Sequence, residues 1–373
     1  RLPMSDHAQQ VPFTGDDTDV AVLLNSWVGN QRWYAGKGQR PALRQVGVRT
    51  LVRGGEDALV VATHLFLDES SAAEGAPGTL YQIPLTYRRQ PRPELAQALI
   101  TRTDTHYVYD GPHDPAYTQA LLDLMYADGS AGDGVADGTL SLSGHAFPRA
   151  DDGTSDSGTH RQGPPHHGLE VARAAVLSGE QSNTSIIATT RSLAPDAENT
   201  GSKPSIVKIF RVLHDGENPD VVVQSALASA GSSLVPRPLG HISGSWSGPR
   251  GVAGQGHLAF AQEFLPGVQD AWRTALVAAQ ANADFTVRAA ALGGATATMH
   301  ATLLQTMGGE TVTDDRRTEL ANQWRARSAE ALTHVPDLAT HADAVESVFA
   351  TAERQAWQDV QRIHGDYHLG QVL

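Results

Sequence analysis

The feature that most constrains the fold is a change in hydrophobic patterning near residue 270. Before it, runs such as ALVVATHLFL and TLYQIPLTYR carry β-branched and aromatic residues between Gly, Asp and Pro clusters, as antiparallel strands do. After it, long runs such as WRTALVAAQ and RRTELANQWRARSAEALTH have the patterning and length of helices. The sequence therefore predicts an α+β protein with its strands first and its helices last.

The middle of the chain adds further elements. Residues 94–126 have apolar positions three and four apart, which predicts helix, whereas 127–168 are too rich in Gly, Asp and Ser to bury much. Strand, turn and strand follow from Leu169, and KPSIVKIFRVL predicts another strand. Asn218, Pro219 and Gly231 are typical of the cap, first residue and end of a helix. LVPRPLGHISG and HLAFAQEFLPG predict two more strands.

These elements divide into three predicted units. Residues 1–90 form a β-rich cap domain, residues 91–266 form a sheet lobe with a mobile insertion at 127–168, and residues 267–373 form a helical lobe. His166 and His167 lie in the insertion and are interpreted as solvated histidines, because neighbouring side chains of an extended loop point apart. Trp33, Tyr34 and Lys37 are assigned to the packing of the cap sheet.

Composition excludes several classes of protein. The net charge of -13 argues against binding to nucleic acid, which requires a basic surface. No apolar run approaches the length of a membrane span, and the N-terminal residues have neither a basic leader nor an apolar signal segment. The absence of cysteine excludes disulfides and thiolate metal sites. We therefore expect a soluble cytoplasmic protein.

One lysine stands out in a chain whose positive charge is nearly all arginine. The only three lysines are Lys37, Lys203 and Lys208, and Lys208 lies between Val207 and Ile209 in an apolar strand. A charge in that setting is either directed at a ligand or held at the surface with its stem along apolar neighbours. The sequence favours the directed charge.

The last residues, RIHGDYHLGQVL, carry the clearest chemical pattern. Protein kinases have a catalytic loop H-R-D-x-x-x-x-N, whose Asp accepts the substrate hydroxyl proton and whose Asn holds magnesium. Asp366 and Gln371 have the same separation, and Gly365 and Gly370 allow a tight backbone path. The spacing fits phosphoryl transfer, because a base and a metal-binding oxygen must be fixed on one short loop.

Five ordered blocks carry a family resemblance. They are NQRWYAGK, GEQSNTS, IVKIFR, GENPD and VQRIHGDYHLGQVL. Together they resemble actinobacterial maltokinases and the related glucosamine kinases, which are aminoglycoside phosphotransferase-like enzymes. The resemblance implies a bilobal protein-kinase-like fold with a β-rich cap, a sheet lobe that binds nucleotide and a helical lobe. It also implies ATP and Mg²⁺ as cofactors and a sugar as the substrate.

The resemblance implies roles for particular residues. Asp366 would be the catalytic base, Gln371 would bind Mg²⁺, His368 would lie with Asp366 beside the sugar, and Lys208 would contact nucleotide phosphates. A phosphate-covering turn and a connector that faces adenine would involve Gly179, Gln181, Ser182, Asn183, Thr184, Gln262, Glu263 and Phe264. His364 is interpreted as a structural residue that bonds the loop backbone.

Two departures from the family pattern follow. A glutamate on the helix after the lysine strand would orient Lys208, but Val222 occupies that position and neither Asp220 nor Gln224 shares its helical face, which leaves the orienting ion pair unassigned. The family continues past the catalytic loop with an acidic metal-binding segment resembling DFE and with further helices. We expect the natural chain to continue beyond Leu373 and to supply the second metal ligand there.

The acceptor sugar stays open at this stage. Maltokinases phosphorylate an anomeric hydroxyl, and glucosamine kinases phosphorylate a 6-hydroxyl. Tyr367, Val222 and the polar segment 127–168 depart from maltokinases and favour glucosamine. Two hypotheses from other classes remain, namely a nucleotide-binding pseudokinase with a regulatory role and a metal-binding module built on His364, Asp366 and His368.

Overall fold

A computed structural model describes residues 18–71, 78–129, 140–147, 168–177, 183–193, 204–247 and 253–373. Contacts between residues divide the chain into two compact units. The first comprises Arg1–Ser225 with Val235–Gln269, and the second comprises Ala226–Leu234 with Asp270–Leu373. Within the described ranges, every helix is too short or too polar to cross a membrane.

The first unit begins with a helix and an antiparallel sheet in the order β1-β2-β3-β5-β4, with the short strand β10 (Val212–Leu213) paired with β3. Successive side chains of a strand point to opposite faces of the sheet. The apolar residues of one face pack against α1, and those of the other face pack against α2. The elements are α1 (Thr18–Val28), β1 (Leu43–Gly54), β2 (Leu59–Asp68), β3 (Thr79–Arg88), β4 (Leu99–Arg102), β5 (Tyr107–Asp110) and α2 (Pro115–Tyr126).

The predicted helix over 94–126 is only partly correct. PELAQA forms a short 3₁₀ helix at Pro93–Ala98, and β4 and β5 follow it before α2 begins. Pro115 supplies the first residue of α2, and the Asp114 side chain accepts a hydrogen bond from the Ala116 N–H. The 94–110 prediction is wrong because β5 pairs with β3, a long-range contact that outweighs local helical spacing.

A second antiparallel sheet has the order β6-β11-β12-β9-β8-β7. Its strands and their associated elements are β6 (Leu140–Ala146), β7 (Leu169–Val176), β8 (Asn183–Ser192), β9 (Ser205–Phe210), β10 (Val212–Leu213), α3 (Pro219–Ser229), β11 (Pro238–Ser247) and β12 (Ala253–Glu263). The predicted strands from Leu169 onward are confirmed, and so are Pro219 as the first residue of α3 and the Asn218 cap, whose Oδ1 accepts from the Asp220 N–H at 2.9 Å.

Part of the predicted mobile insertion is a strand. Leu140 and Leu142 are buried, and β6 pairs with β11 along its whole length. The loop prediction is wrong for 140–146, because the alternating LSLS pattern buries two leucines despite its Gly- and Asp-rich flanks. Most of the remaining insertion, with His166 and His167, lies outside the described residues.

Arg211 joins the two sheets of the first unit. Its side chain is 0 % exposed, pairs with Asp110 at 2.9 Å and donates through Nε to Thr184 Oγ1 at 2.8 Å. The guanidinium also lies 4.7 Å from the centre of the Trp33 ring. Trp33 and Tyr34 are buried in the cap core, which confirms their predicted packing role.

The second unit is mostly helical, as predicted, and also contains one short strand pair that the sequence did not predict. Its elements are α4 (Ala271–Gln280), α5 (Thr286–Met307), β13 (Gly309–Glu310), α6 (Asp314–His334), α7 (Ala342–Arg354) and β14 (Val360–Gln361). Trp324 packs on Phe349 and Trp357, and Arg325 bridges Glu346 and Glu353 between α6 and α7. The α+β class with a β-rich beginning and a helical end is therefore confirmed.

Candidate functional site

Lys208 lies in β9 with its charge directed to a partner. The side chain is 21 % exposed, and Nζ lies 2.8 Å from Asp220 Oδ2. Asp220 is in the first turn of α3, where the helix dipole also favours a negative charge. The lysine is therefore held by a helix carboxylate within the first unit.

A hydrogen-bond chain continues from this ion pair. The second carboxylate oxygen of Asp220 accepts from the Gln224 amide, one turn along α3. The Gln224 carbonyl oxygen in turn accepts from the amide of Gln262, a buried residue near the end of β12. The structure thus connects Lys208 and Gln262, two residues predicted to bind nucleotide, through Asp220 and Gln224, two helix residues that the sequence-based prediction set aside.

The orienting ion pair left unassigned by the sequence therefore exists with another residue. Val222 supplies no charge, and Val221 and Val223 beside it are buried. Asp220 lies one turn before Gln224 on the same face of α3, and that face turns to Lys208. The expectation that the Val222 position decides the pairing is wrong, because the lysine reaches the first turn of the helix.

The predicted phosphate-covering turn is only partly described. Gly179, Gln181 and Ser182 lie outside the described residues. Asn183 begins β8 opposite Phe210, and Thr184 follows opposite Ile209. The buried Thr184 hydroxyl accepts from Arg211, as described above. Ser185 lies opposite Lys208, so the end of the predicted turn and the lysine occupy paired strands.

The predicted connector lies at the end of β12. The Glu263 N–H donates to the Arg237 carbonyl oxygen at 2.9 Å, and the Phe264 N–H donates to the Pro204 carbonyl oxygen at 2.8 Å. The Gln262 side chain is directed to Gln224. The contact of Gln262, Glu263 and Phe264 with adenine remains a prediction.

The second unit carries the terminal segment with Asp366. Gly365 has φ +85, a left-handed conformation that glycine adopts at little cost, and it sets the path into Asp366. A short 3₁₀ turn at Leu369–Gln371 follows. The Ala271 N–H, at the start of α4, donates to the Val372 carbonyl oxygen at 2.8 Å and fixes the end of the segment.

The two histidines of the segment organise its backbone. His364 Nδ1 accepts from the Asp366 N–H at 3.3 Å, which is the role predicted for it, and His368 Nδ1 accepts from the Gly370 N–H at 3.1 Å. Both rings therefore use a nitrogen to hold the loop. Among the described residues, no group of three or more His, Asp and Glu side chains is arranged to bind a metal ion.

Asp366 and Gln371 present oxygen atoms at the surface of this segment. Both residues are exposed, and neither side chain has a hydrogen-bond partner within the described ranges. Carboxylate and amide oxygens suit Mg²⁺, which keeps several waters and takes few protein ligands. These two side chains therefore have the chemistry that the predicted roles require. The role of Asp366 as the base and that of Gln371 as a magnesium ligand remain predictions.

Sequence reasoning set aside Asp220 and Gln224 because neither shares the helical face of Val222, and the contact of Asp220 with Lys208 shows that this exclusion is wrong. Their four-residue spacing just after the Asn218 cap is a signal that the two side chains interact, but nothing local indicates that they face Lys208. The missed pairing of Arg211 with Asp110 has no local signal at all, since the two residues are 101 positions apart.

Comparisons with known proteins agree with these observations. Residues 27–114 match the maltokinase N-terminal cap domain, and residues 197–373 match the phosphotransferase enzyme family. The chain is similar to the structure of a glucosamine kinase in crystal form B, with a TM-score of 0.53, 19% identity and coverage of 93% of this chain and 68% of that one. Crystal form A gives a TM-score of 0.50 and 18% identity over the same shares of both chains.

The two family matches do not overlap, and each falls where the structure has the corresponding elements. The cap match covers the end of α1 and the first sheet up to β5, and the phosphotransferase match contains β9, α3 and the terminal segment. The likeness to glucosamine kinase shows a shared fold. The chain therefore carries a maltokinase-type N-terminal cap domain at residues 27–114 and a domain of the phosphotransferase enzyme family at residues 197–373.

Proposed function

We propose that this protein is an ATP-dependent sugar kinase, and that its acceptor is the 6-hydroxyl of glucosamine. The observation that carries the kinase proposal is the charge of Lys208, which Asp220 holds in a phosphotransferase domain. Kinases of this fold neutralise nucleotide phosphates with a lysine that lies on a strand and is held by a carboxylate of the following helix. Because the reaction uses ATP, we place it in the cytoplasm.

The proposed reaction uses the predicted base, the predicted magnesium contact and the predicted phosphate-binding residues that the structure describes. The Asp366 carboxylate accepts the proton of the sugar hydroxyl while that oxygen forms a bond to the γ-phosphorus of ATP. The bond between the γ-phosphorus and the β,γ-bridging oxygen breaks, and ADP leaves. Lys208 binds the phosphates, with Asn183 and Thr184 in the strand beside it. Gln371 would hold Mg²⁺, which neutralises phosphate charge when bound.

The held backbone and exposed side chain of Asp366 support its role as the base. Its backbone N–H is held by His364, and its side chain stays exposed. A fixed backbone with an available carboxylate suits proton abstraction from a bound alcohol. His368 is proposed to lie near the sugar, although its Nδ1 is already engaged by the Gly370 N–H.

Maltose is the second candidate acceptor, and the cap match favours it. Residues 27–114 match a domain named for maltokinase, whereas the similar structures are of a glucosamine kinase. The two reactions differ in position, because maltose would be phosphorylated at its anomeric hydroxyl and glucosamine at its 6-hydroxyl. Blocking the anomeric oxygen as a methyl glycoside therefore separates them.

The test is magnesium-dependent ADP release with glucosamine, methyl glucosaminide, maltose and methyl maltoside. We expect release with both glucosamine compounds. Release with maltose alone, lost on methylation, identifies the maltokinase reaction. ATP binding without sugar-dependent release identifies a pseudokinase and contradicts the proposal.

Asp366→Asn tests the base. It should leave ATP binding intact and lower turnover by about two orders of magnitude or more. The matched control is Asp343→Asn, an exposed carboxylate on α7 of the same unit, which should leave turnover unchanged. Full activity of Asp366→Asn would remove this residue from the mechanism.

A further inference from the structure

A second set of contacts lies behind the ion pair of Lys208. The backbone N–H of Asn218 donates to Nδ1 of His257 at 3.0 Å, while the Asn218 side chain accepts from the Asp220 N–H at 2.9 Å. Asp220 pairs with Lys208 at 2.8 Å. Asn218 thus connects a ring on β12 to the residue that orients the lysine.

The contact fixes the protonation state of His257. A ring nitrogen that accepts an N–H bond carries no proton, so the imidazole is neutral with its proton on Nε2. Burial lowers the pKa of His257, an effect that His145 reinforces and Glu217 opposes. The ring is therefore neutral at pH 7 and able to accept the Asn218 bond.

His257 belongs to a group of titratable residues on one face of the second sheet. His241 on β11 lies edge-on to it at 4.8 Å, and His145 on β6 stacks on His241 at 4.7 Å. Glu217 precedes the Asn218 cap and lines a cavity of about 400 Å³ with His241 and His257. Of the three rings, only His257 forms a hydrogen bond to the start of α3 within the part of the chain that the structure describes.

Two further hydrogen bonds join the loop before α3 to β12, and both involve residues ahead of Asn218. The Gly216 N–H donates to the Gln255 carbonyl oxygen at 2.7 Å, and the Gln255 N–H donates to Asp215 Oδ1 at 2.9 Å. Pro219, the first residue of α3, has no N–H, and the other backbone donors of the first turn have no partner within the helix. Asn218 therefore depends on His257 for its N–H bond and, in turn, sets the position of Asp220.

We propose that His257 is a positioning residue for Lys208, acting through Asn218 and Asp220. This rests on the proposed function, in which Lys208 binds the phosphates of ATP. Loss of the acceptor, by substitution or by protonation of Nδ1, frees the Asn218 N–H and loosens the first turn of α3. The Lys208 side chain then loses its fixed orientation. Asp366 and Gln371 of the second unit are not altered by the substitution.

The test compares His257→Phe with His257→Asn. Phenylalanine cannot accept the bond, whereas asparagine Oδ1 is an acceptor at the same distance from the backbone as Nδ1 of histidine. Loss of one hydrogen bond corresponds to roughly fivefold in affinity. We expect His257→Phe to raise the Kd of a fluorescent ATP analogue and the KM for ATP about fivefold, with a smaller change in kcat, and His257→Asn to retain most of the wild-type affinity.

His241→Phe is the matched control. It replaces the neighbouring ring, which has no bond to Asn218, and should leave the ATP affinity unchanged. An equal loss in His241→Phe and His257→Phe would show a general packing effect and overturn the proposal. Equal affinity of wild type and His257→Phe would overturn it as well.

The pH dependence of ATP affinity is an independent test of the positioning role. Because burial lowers the pKa of His257 below the ordinary value of about 6.5, the wild-type ring gains a proton and loses its acceptor only at pH values below that. The Kd of wild type should then rise more steeply than that of His257→Asn, which keeps the other ionisable groups around this ring, namely His145, His241 and Glu217, and the nucleotide itself. Parallel pH curves contradict the proposal.

Lys208→Ala distinguishes failure of the proposed function from failure of the positioning role of His257. If this change leaves ATP affinity intact, the phosphate role of Lys208 fails, and the proposed function fails with it. If it weakens ATP binding and His257→Phe does not, only the positioning role of His257 fails.

Discussion

Asp110→Ala is expected to be among the most destabilising single changes in the first unit. The substitution leaves the Arg211 guanidinium, 0 % exposed, without its carboxylate partner. Removing one partner of a buried ion pair costs about 3–5 kcal/mol, because the remaining charge is desolvated and unpaired. Thr184 and the Trp33 ring still contact the guanidinium, but neither carries a compensating charge.

The free energy of unfolding in urea measures this loss. Glu170→Ala is the matched control, because it breaks a salt bridge of similar length to Arg191 whose side chains are 44% and 60% exposed. An exposed pair contributes at most about 1 kcal/mol. We therefore expect the buried substitution to cost several times more than the exposed one.

A double substitution sharpens the reasoning. Arg211→Met combined with Asp110→Ala removes both charges, so no unpaired charge remains in the core. The double variant should lose less stability than the sum of the two single losses. Equal costs for Asp110→Ala and Glu170→Ala, or strict additivity in the double variant, would refute the buried-charge explanation.

Three further predictions follow from the same structure. Asp220→Asn removes the charge that holds Lys208 and should raise the KM for ATP roughly tenfold, measured by initial rates, since hydrogen bonds to charged groups contribute about 1.5–3 kcal/mol. Burial lowers the pKa of His64 to about 3. Between about pH 6.5 and 3 the ring is therefore protonated in the unfolded chain and neutral in the folded protein. Stability should therefore fall on acidification, by about 2 kcal/mol from pH 6.5 to 5 for this ring, and urea titrations of His64→Gln should lack that part of the slope. Leu303→Ala should cost about 2–5 kcal/mol by urea titration, since Leu303 is 0% exposed, whereas Val287→Ala at 79% exposure should cost under about 0.5 kcal/mol.

The local signals of the sequence determined much of the architecture. The strands from Leu169 onward, the Asn218 cap with Pro219 and the long helices after residue 270 occur where patterning and capping predict them. Each depends on residues a few positions apart, whose interactions are the same in most proteins. The spacing of Asp366 and Gln371 is likewise a property of one short loop.

Only the tertiary structure decided which distant residues meet. It paired β5 with β3 against a local helical pattern, buried Leu140 and Leu142 in β6, and gave Lys208 a carboxylate where Val222 had left none. The partners of Arg211 lie on other strands and far along the chain. Long-range pairs of this kind depend on how whole sheets and helices pack. The free energy gained by burial depends on that packing and not on the spacing of two residues in sequence.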